Sequence, residues 1–374
     1  MQKLWKVGAW VLAAAAWPAQ AQSGYTAIDA YAKATPVAQT ETIERLAAHL
    51  AKAGATRQAR ARAVYTWVAL NLRYDAALFE AHKHQVNIVE ADKAAQDPRI
   101  GGQSAAVVLR SHTALCLGYS HLVEALCKQM AIPAFTVSGL ARSWHQPLPA
   151  AASAGPNHAW NVVKTEAGWQ LMDATWAAGY LDPTGQFVPR FSDSLFAPDP
   201  VQFGATHWPS DPAFQLVAAP QSKAAFLARE KLPIGTAKAG YAFADTLDKA
   251  AAQPVSAFTY ASARRALAFD PEAVYARLKL TEYHASGALA ALENYRLGIK
   301  AASFRQGEAA PPALIGLLDS AETHLRASKR LLEQVPAAQQ RQLPAIRQNL
   351  ASLEANLQAV AQQRQFWAKL QAQP

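Results

Sequence analysis

Cysteine is nearly absent from this sequence, with only Cys116 and Cys127 in 374 residues. If both lie on one helix, eleven residues at about 1.5 Å each hold them roughly 16 Å apart, beyond the reach of a disulfide. The fold must then rest on its apolar core, and a 51% apolar composition supplies the material. Several motifs are missing as well: His-Glu-x-x-His, paired Cys-x-x-Cys, a phosphate-cradling Gly-rich loop and the dinucleotide fingerprint. No metal or nucleotide cofactor is therefore implied. No stretch reaches the roughly 20 apolar residues that a membrane span needs, so none is expected. Dense Lys/Arg runs interleaved with aromatic residues are also lacking, which argues against nucleic-acid binding. The formal charge of +9 is scattered, and removing Lys3 and Lys6 with a leader leaves +7. That surplus suits anionic cell-surface polymers or acidic protein substrates.

The leader is read from the first 21 residues. Lys3 and Lys6 precede the apolar stretch Val7–Trp17, and Ala19-Gln20-Ala21 forms a small-x-small cleavage site. Met1–Ala21 is thus expected to be a secretory signal, with the mature, exported chain (periplasmic or extracellular) starting at Gln22. No cysteine stands at the cleavage point, which argues against a lipid anchor.

What the chain does contain is an ordered trio: Cys116, His158 in Asn-His-Ala-Trp-Asn, and Asp173 in Leu-Met-Asp-Ala-Thr-Trp. Tyr119, Leu122, Val123, Leu126, Cys127 and Met130 recur at three- and four-residue spacing, which predicts a helix from Cys116 to Met130 with Cys116 in its first turn. A thiol attacks as thiolate, and a helix N-terminus with a nearby imidazolium favours that form. Strands are expected at Asn157–Lys164 and Trp169–Thr175, joined by a turn centred on Glu166-Ala167. This register sets Asp173 opposite Trp160 and diagonal to His158, about 7–8 Å away at the backbone, so its carboxylate can orient the ring. Singly, each residue has a plain structural use: a helical cysteine packs, a strand histidine bonds locally, and an aspartate beside a turn caps backbone donors. Cys127 fits that plain use. Together, in this order, Cys116, His158 and Asp173 read as a catalytic triad. His112, His145 and His207 lack the strand-and-carboxylate setting, although His112 is close enough in sequence to modulate Cys116.

Around these residues the chain resembles the transglutaminase-like superfamily. Cys116-Leu117-Gly118-Tyr119-Ser120, Ile132-Pro133 and Val137-Ser138-Gly139 are similar to its nucleophile helix and following strand, with Ala114 where relatives commonly have glycine. Asn157–Asn161 and Trp169–Trp176 match its histidine and aspartate strands, and Arg62–Val68 through Leu72–Asp75 its leading helix. Asp199–Phe203 and Thr206–Leu216 resemble a tail block of the subgroup that includes the kyphoscoliosis peptidase and cytokinesis-associated relatives. The likeness covers roughly residues 56–218. It implies an α+β, papain-like core, with a nucleophile helix packed on an antiparallel sheet. It also implies a thiol mechanism at Cys116, His158 and Asp173: attack on a peptide or glutamine amide of a protein or peptide substrate, then a thioester resolved by water or an amine. The other reading is an inactive domain serving as a protein-binding scaffold.

Beyond Val217 the composition turns to alanine, leucine, glutamine and charge. The expected division is a signal at 1–21, a transglutaminase-like domain at 22–218 and an all-α domain at 219–374. Ala257–Ala268, Asp270-Pro271 and Glu272–His284 form a helix-turn-helix pattern. Leu314, Leu318, Ala321 and Leu325, and then Ile346, Leu350, Leu353, Leu357 and Val360, make two stripes suited to an antiparallel hairpin. A dimerising coiled coil or a helical-tail partner would use the same stripes.

Overall fold

The computed structural model describes residues 24–82, 103–142, 155–230, 243–301 and 310–372. The expected leader Met1–Ala21 and His145 lie outside the described residues. Two compact units emerge. The first comprises Met1–Gln85, Ala94–Ser138 and His158–Phe203, the second Val86–Lys93, Gly139–Asn157 and Gly204–Pro374.

The first unit begins with α1 (Thr26–Lys33) and α2 (Ile43–Leu50) and then builds on α3 (Arg57–Asn71). The Thr56 hydroxyl accepts from the Ala59 N–H and caps α3. The Glu166 carboxylate accepts from the Arg57 and Gln58 N–H groups at 2.9 and 3.2 Å, which pins the distant hairpin turn to the same helix end. Those donors and the Arg57 guanidinium bring the Glu166 carboxyl down to about 2. Every residue of α3 from Ala61 to Ala69 is buried, so this stretch of the helix has no solvent face.

Arg62 is the charged member of that buried run, 1% exposed. Its guanidinium donates twice to Asp29 on α1, at 2.7 and 2.6 Å, and pairs with Asp193. Four rings, of Tyr25, Tyr65, Phe191 and Phe196, surround it within 5.7 Å. Burial weakens the charged form, but the two carboxylates outweigh it and raise the pKa of Arg62.

After α3 come β1 (Arg73–Tyr74), α4 (Ala76–His82), α5 (Ala105–Ser111) and β2 (Thr113–Ala114), with β1 and β2 paired in parallel. Next are α6 (Cys116–Gln129), β3 (Ala134–Ala141), β4 (His158–Thr165) and β5 (Gly168–Met172). In this sheet β4 lies between β5 and β3, and α6 packs on β4 and on α3. A helix carrying Cys116 against an antiparallel sheet is the α+β arrangement expected. The β4–β5 register runs from Asn161↔Met172 to Thr165↔Gly168, which leaves Glu166-Ala167 as the two-residue turn. One expectation is corrected here. The strand predicted to run to Thr175 stops at Met172, because Asp173 caps α7 (Ala174–Ala178) and turns Thr175 into a helical residue. A small ribbon of β6 (Gly179–Leu181) and β7 (Phe187–Pro189) follows, and α8 (Pro200–Gly204) leads out of the unit.

In the second unit, Gly139–Ala141 pair antiparallel with β8 (His207–Pro209). Asp211 caps the turn Pro212–Gln215 and also receives Ser262 at 2.7 Å and Arg265 at 2.7 Å. These ties bind the Thr206–Leu216 block to α10 (Val255–Phe269), which follows the short α9 (Lys223–Leu227). The position 218/219 lies within the Gly204–Pro374 stretch of the second unit. Another short helix, Ala244–Ala251, precedes Val255–Phe269. The helix-turn-helix continues into α11 (Val274–Ala301), which runs far past His284. The two leucine stripes lie on α12 (Pro312–Glu333) and α14 (Pro344–Gln371), with α13 (Ala337–Gln342) between them. Leu314, Leu318, Ala321 and Leu325 share one core with Ile346, Leu353 and Val360, as the hairpin reading requires. That core also contains Val274, Leu278, Ala288, Ala291 and Tyr295 of α11, so the hairpin is backed by a third helix.

Arg62→Met removes a charge and leaves the Asp29 and Asp193 carboxylates beside apolar rings. The expected loss is about 3–5 kcal/mol of unfolding free energy in urea, partly recovered when Asp29→Asn and Asp193→Asn are added. A loss below about 1 kcal/mol would show that the buried ion network contributes little.

Candidate active site

Cys116 stands at the first helical position of α6, half-buried, directly after β2. Its position is set from two sides. The parallel β1–β2 register places Tyr74 beside Ala114, and the Asp75 N–H donates to the Ala114 carbonyl at 2.9 Å. The Gln103 side-chain oxygen accepts from the Leu115 N–H, also at 2.9 Å. One turn into the helix, a Cβ on Gly118 would lie 2.5 Å from that Gln103 oxygen, 2.7 Å from the Ala114 Cβ and 2.9 Å from Val108. The Ala114 methyl thus takes up space beside Gly118, and position 118 has room for nothing larger than hydrogen. As the first residue of the helix, Cys116 offers a backbone N–H that has no acceptor within the helix.

His158 opens β4 and is 9% exposed. Its Nε2 lies 2.8 Å from Oδ2 of Asp173, which is fully buried. The same ring hydrogen-bonds the Cys116 side chain, and with Nε2 held by the aspartate, Nδ1 is the nitrogen left for sulfur. The ring is flanked by Trp176 at 5.2 Å and Trp160 at 6.0 Å between centroids. Burial opposes a charge on His158, but Asp173 and Cys116 outweigh it and push the pKa up to about 10. The three residues singled out in the sequence are therefore brought together. Asp173 fills both roles considered for it: Oδ2 faces the imidazole while Oδ1 accepts from the Thr175 and Trp176 N–H groups at 2.9 and 3.0 Å.

The remaining candidates make other contacts. His112 has a left-handed backbone, φ 53°, and its Nδ1 lies 3.1 Å from the Asn71 carbonyl, so it ends α5 and serves structure. His207 sits on β8 in the second unit with Nδ1 2.8 Å from the Thr206 hydroxyl. Cys127 is fully buried, and desolvation first, then Glu124, push its thiol up to about 12.

Sequence reasoning missed three contributors. Gln103 follows two glycines with no periodicity to mark it. Asn161 lay inside a quoted motif without a role. Its buried amide donates to the Ser120 carbonyl at 3.0 Å and the Phe135 carbonyl at 3.3 Å, joining β4 to α6 and β3. Tyr74 lies close enough to feel Cys116: burial, followed by the charges of Cys116, Tyr119 and Asp75, holds its phenol well above the usual range. Tyr74 is thereby kept as a neutral donor near the sulfur.

A family sequence description, "Transglutaminase-like superfamily", matches residues 44–174, a span that contains Cys116, His158 and Asp173. The chain carries a transglutaminase-like domain. Kyphoscoliosis peptidase from Homo sapiens is 28% identical over 196 residues, covering 52% of this chain and 27% of that protein. The protein of the same name from Mus musculus is 27% identical over 192 residues, covering 51% and 27%. The chain therefore spans about a quarter of the length of these relatives. A solved structure titled "Crystal structure of a TGase" is 21% identical, covers 42% of this chain and 35% of its own, and aligns with a TM-score of 0.26.

Two outcomes are expected. Iodoacetamide at pH 8 should label Cys116 alone in the folded chain and both cysteines in urea, as peptide mass reads out; labelling of native Cys127 would contradict its burial. The second concerns stability against pH. His158 has a folded pKa above its unfolded value near 6.5, so its stabilisation is complete below about pH 6.5 and is lost as pH rises through about 10. Unfolding free energy should therefore decline between pH 7 and 9 in the wild type, and His158→Gln should flatten that decline. Equal slopes would mean that the ring is not held charged.

Proposed function

We propose that this chain is an exported thiol hydrolase acting on amide bonds of proteins or peptides, with Cys116 as nucleophile, His158 as its ion partner and acid–base group, and Asp173 as the group that orients His158. The observation that carries this reading is a single imidazole bonded to a buried carboxylate on one side and to the only half-exposed thiol on the other.

In the reaction, the sulfur anion of Cys116, paired with the charged ring of His158, attacks the amide carbonyl carbon. The oxyanion is received by the Cys116 N–H and the Tyr74 hydroxyl. His158 gives its proton to the leaving amine, the C–N bond breaks and a thioester remains. The ring, now neutral, takes a proton from water as the water oxygen attacks the thioester. Expulsion of sulfur then releases the acid and restores the ion pair. An amine in place of water would give a crosslink by the same route. Asp173 stays ionised throughout and holds Nε2, so that Nδ1 faces the chemistry. Export is supported by the Lys3/Lys6, Val7–Trp17 and Ala19-Gln20-Ala21 pattern; N-terminal sequencing of the exported product should begin at Gln22.

The test uses an activated ester and iodoacetamide together. Wild type should show a burst of acyl-enzyme formation that Cys116→Ser abolishes and His158→Ala cuts by at least roughly 100-fold. Tyr74→Phe should slow acylation by about 10–100-fold and leave alkylation unchanged, because alkylation forms no oxyanion. Alkylation of Cys116 that is indifferent to His158, with no burst, would sink the enzyme reading and leave a binding scaffold. Adding a primary amine then separates hydrolysis from amine transfer by product mass.

A further inference from the structure

The second unit holds a buried cation that the reaction does not use. Arg142 directly follows β3 and is 8% exposed. Its backbone N–H donates to the Thr206 carbonyl at 3.0 Å, which extends the pairing of β3 with β8 by one residue. The guanidinium stacks on the fully buried ring of Phe226, 4.1 Å from the centroid, and its Nε donates to the Ala205 carbonyl at 3.3 Å. One face and one donor of the fork are thus engaged, and the edge formed by the two Nη groups is the one suited to side-by-side bonds with an oxoanion.

Among the described residues no carboxylate pairs with Arg142. The sequence around it is also poor in acid: no Asp or Glu occurs between Glu124 and Glu166, or between Asp211 and Glu230. Asp211 is committed to Ser262 and Arg265, and Glu230 is exposed. The charge that does act on Arg142 is a second cation. Burial first, and then Arg229, lower the pKa of Arg142. Arg229 ends α9, where its N–H donates to the Phe226 carbonyl and the Glu230 N–H to the Ala225 carbonyl, both at 3.0 Å. This closing turn holds Arg229 at φ 60°, a left-handed value at a position where glycine is usual. An arginine therefore occupies a strained position close to a buried arginine that has no counter-charge.

A desolvated charge without an opposite partner is costly, and a ring face with one carbonyl offsets only part of that cost. Two neighbouring guanidinium groups are matched by an anion of nearly two charges. A phosphate group carries about −1.5 to −2 at pH 7, where a carboxylate carries a single charge, and its oxygens fit the guanidinium fork. We propose that Arg142 and Arg229 form a site for a phosphate group, as the free ion or as a phosphomonoester, with Arg142 holding it through its Nη edge and Arg229 meeting it from the solvent side.

The full chain is titrated calorimetrically with inorganic phosphate at fixed ionic strength, with acetate and chloride as controls. The parent should bind one equivalent of phosphate at least roughly tenfold more tightly than acetate, and melt several degrees higher in its presence. Arg229→Gln alters an exposed side chain, so it should match the parent in circular dichroism and in melting without phosphate, yet bind phosphate at least roughly tenfold more weakly. Arg142→Lys keeps the charge without the fork and should lose binding to a similar extent. Glycerol phosphate then separates the sources: binding as tight as that of phosphate assigns a phosphomonoester, and much weaker binding assigns the free ion. Phosphate that acts no differently from chloride, or Arg229→Gln that binds as the parent does, overturns the site and leaves Arg142 as a stacked structural arginine.

Discussion

The Asp173 carboxylate holds two elements in register through its two oxygens. Oδ1 accepts the first free N–H groups of the helix Ala174–Ala178, and Oδ2 binds Nε2 of His158. Ending the strand at Met172 and aiming the imidazole are thus one event. A fully buried carboxylate is costly unless its lone pairs are satisfied, and here the backbone donors and the ring satisfy them together. The same charge offsets the desolvation of the ring and lets a nearly inaccessible histidine remain protonated.

The frame around this pair is made by burial rather than by covalent links. Residues Ala61–Ala69 of the helix Arg57–Asn71 are buried, and their charged member Arg62 is compensated by Asp29, Asp193 and four rings. Glu166 and Asn161 add hydrogen bonds that tie the hairpin to that helix and to the Cys116 helix. Burial also divides the labour between the two thiols. Cys127, eleven residues along the helix, lies in the core as a small apolar side chain, while Cys116 is left half-exposed beside the imidazole.

The second unit follows a different logic. Its leucine stripes cover one another and the helix Val274–Ala301, so helices that would be unstable alone gain their stability from a shared apolar core. Small residues decide the close approaches: Gly287 admits the His324 ring, and Gly298 lies under Leu314. Polar anchors such as Asp211, bound to Ser262 and Arg265, extend the unit back toward residue 204.

Much of this could be read along the chain. The helix starting at Cys116, the hairpin turn at Glu166-Ala167, the diagonal placement of Asp173 and the two leucine stripes are local or periodic, and periodicity records which face of an element is buried. The sequence by itself therefore determined most of the element types, the α+β class and the three candidate residues. What it left open depended on partners distant in the chain. Gln103 reaches Leu115 from an aperiodic segment, Asn161 bridges two elements from within a strand, Tyr74 comes beside Cys116 by parallel pairing, and His284 meets His324 forty residues away. The tie of Asp211 to Ser262 and Arg265 belongs to the same group, since it joins residues more than fifty apart. Such contacts carry no periodic signature, because they arise only once helices and strands have packed, and that is why tertiary structure alone decided them.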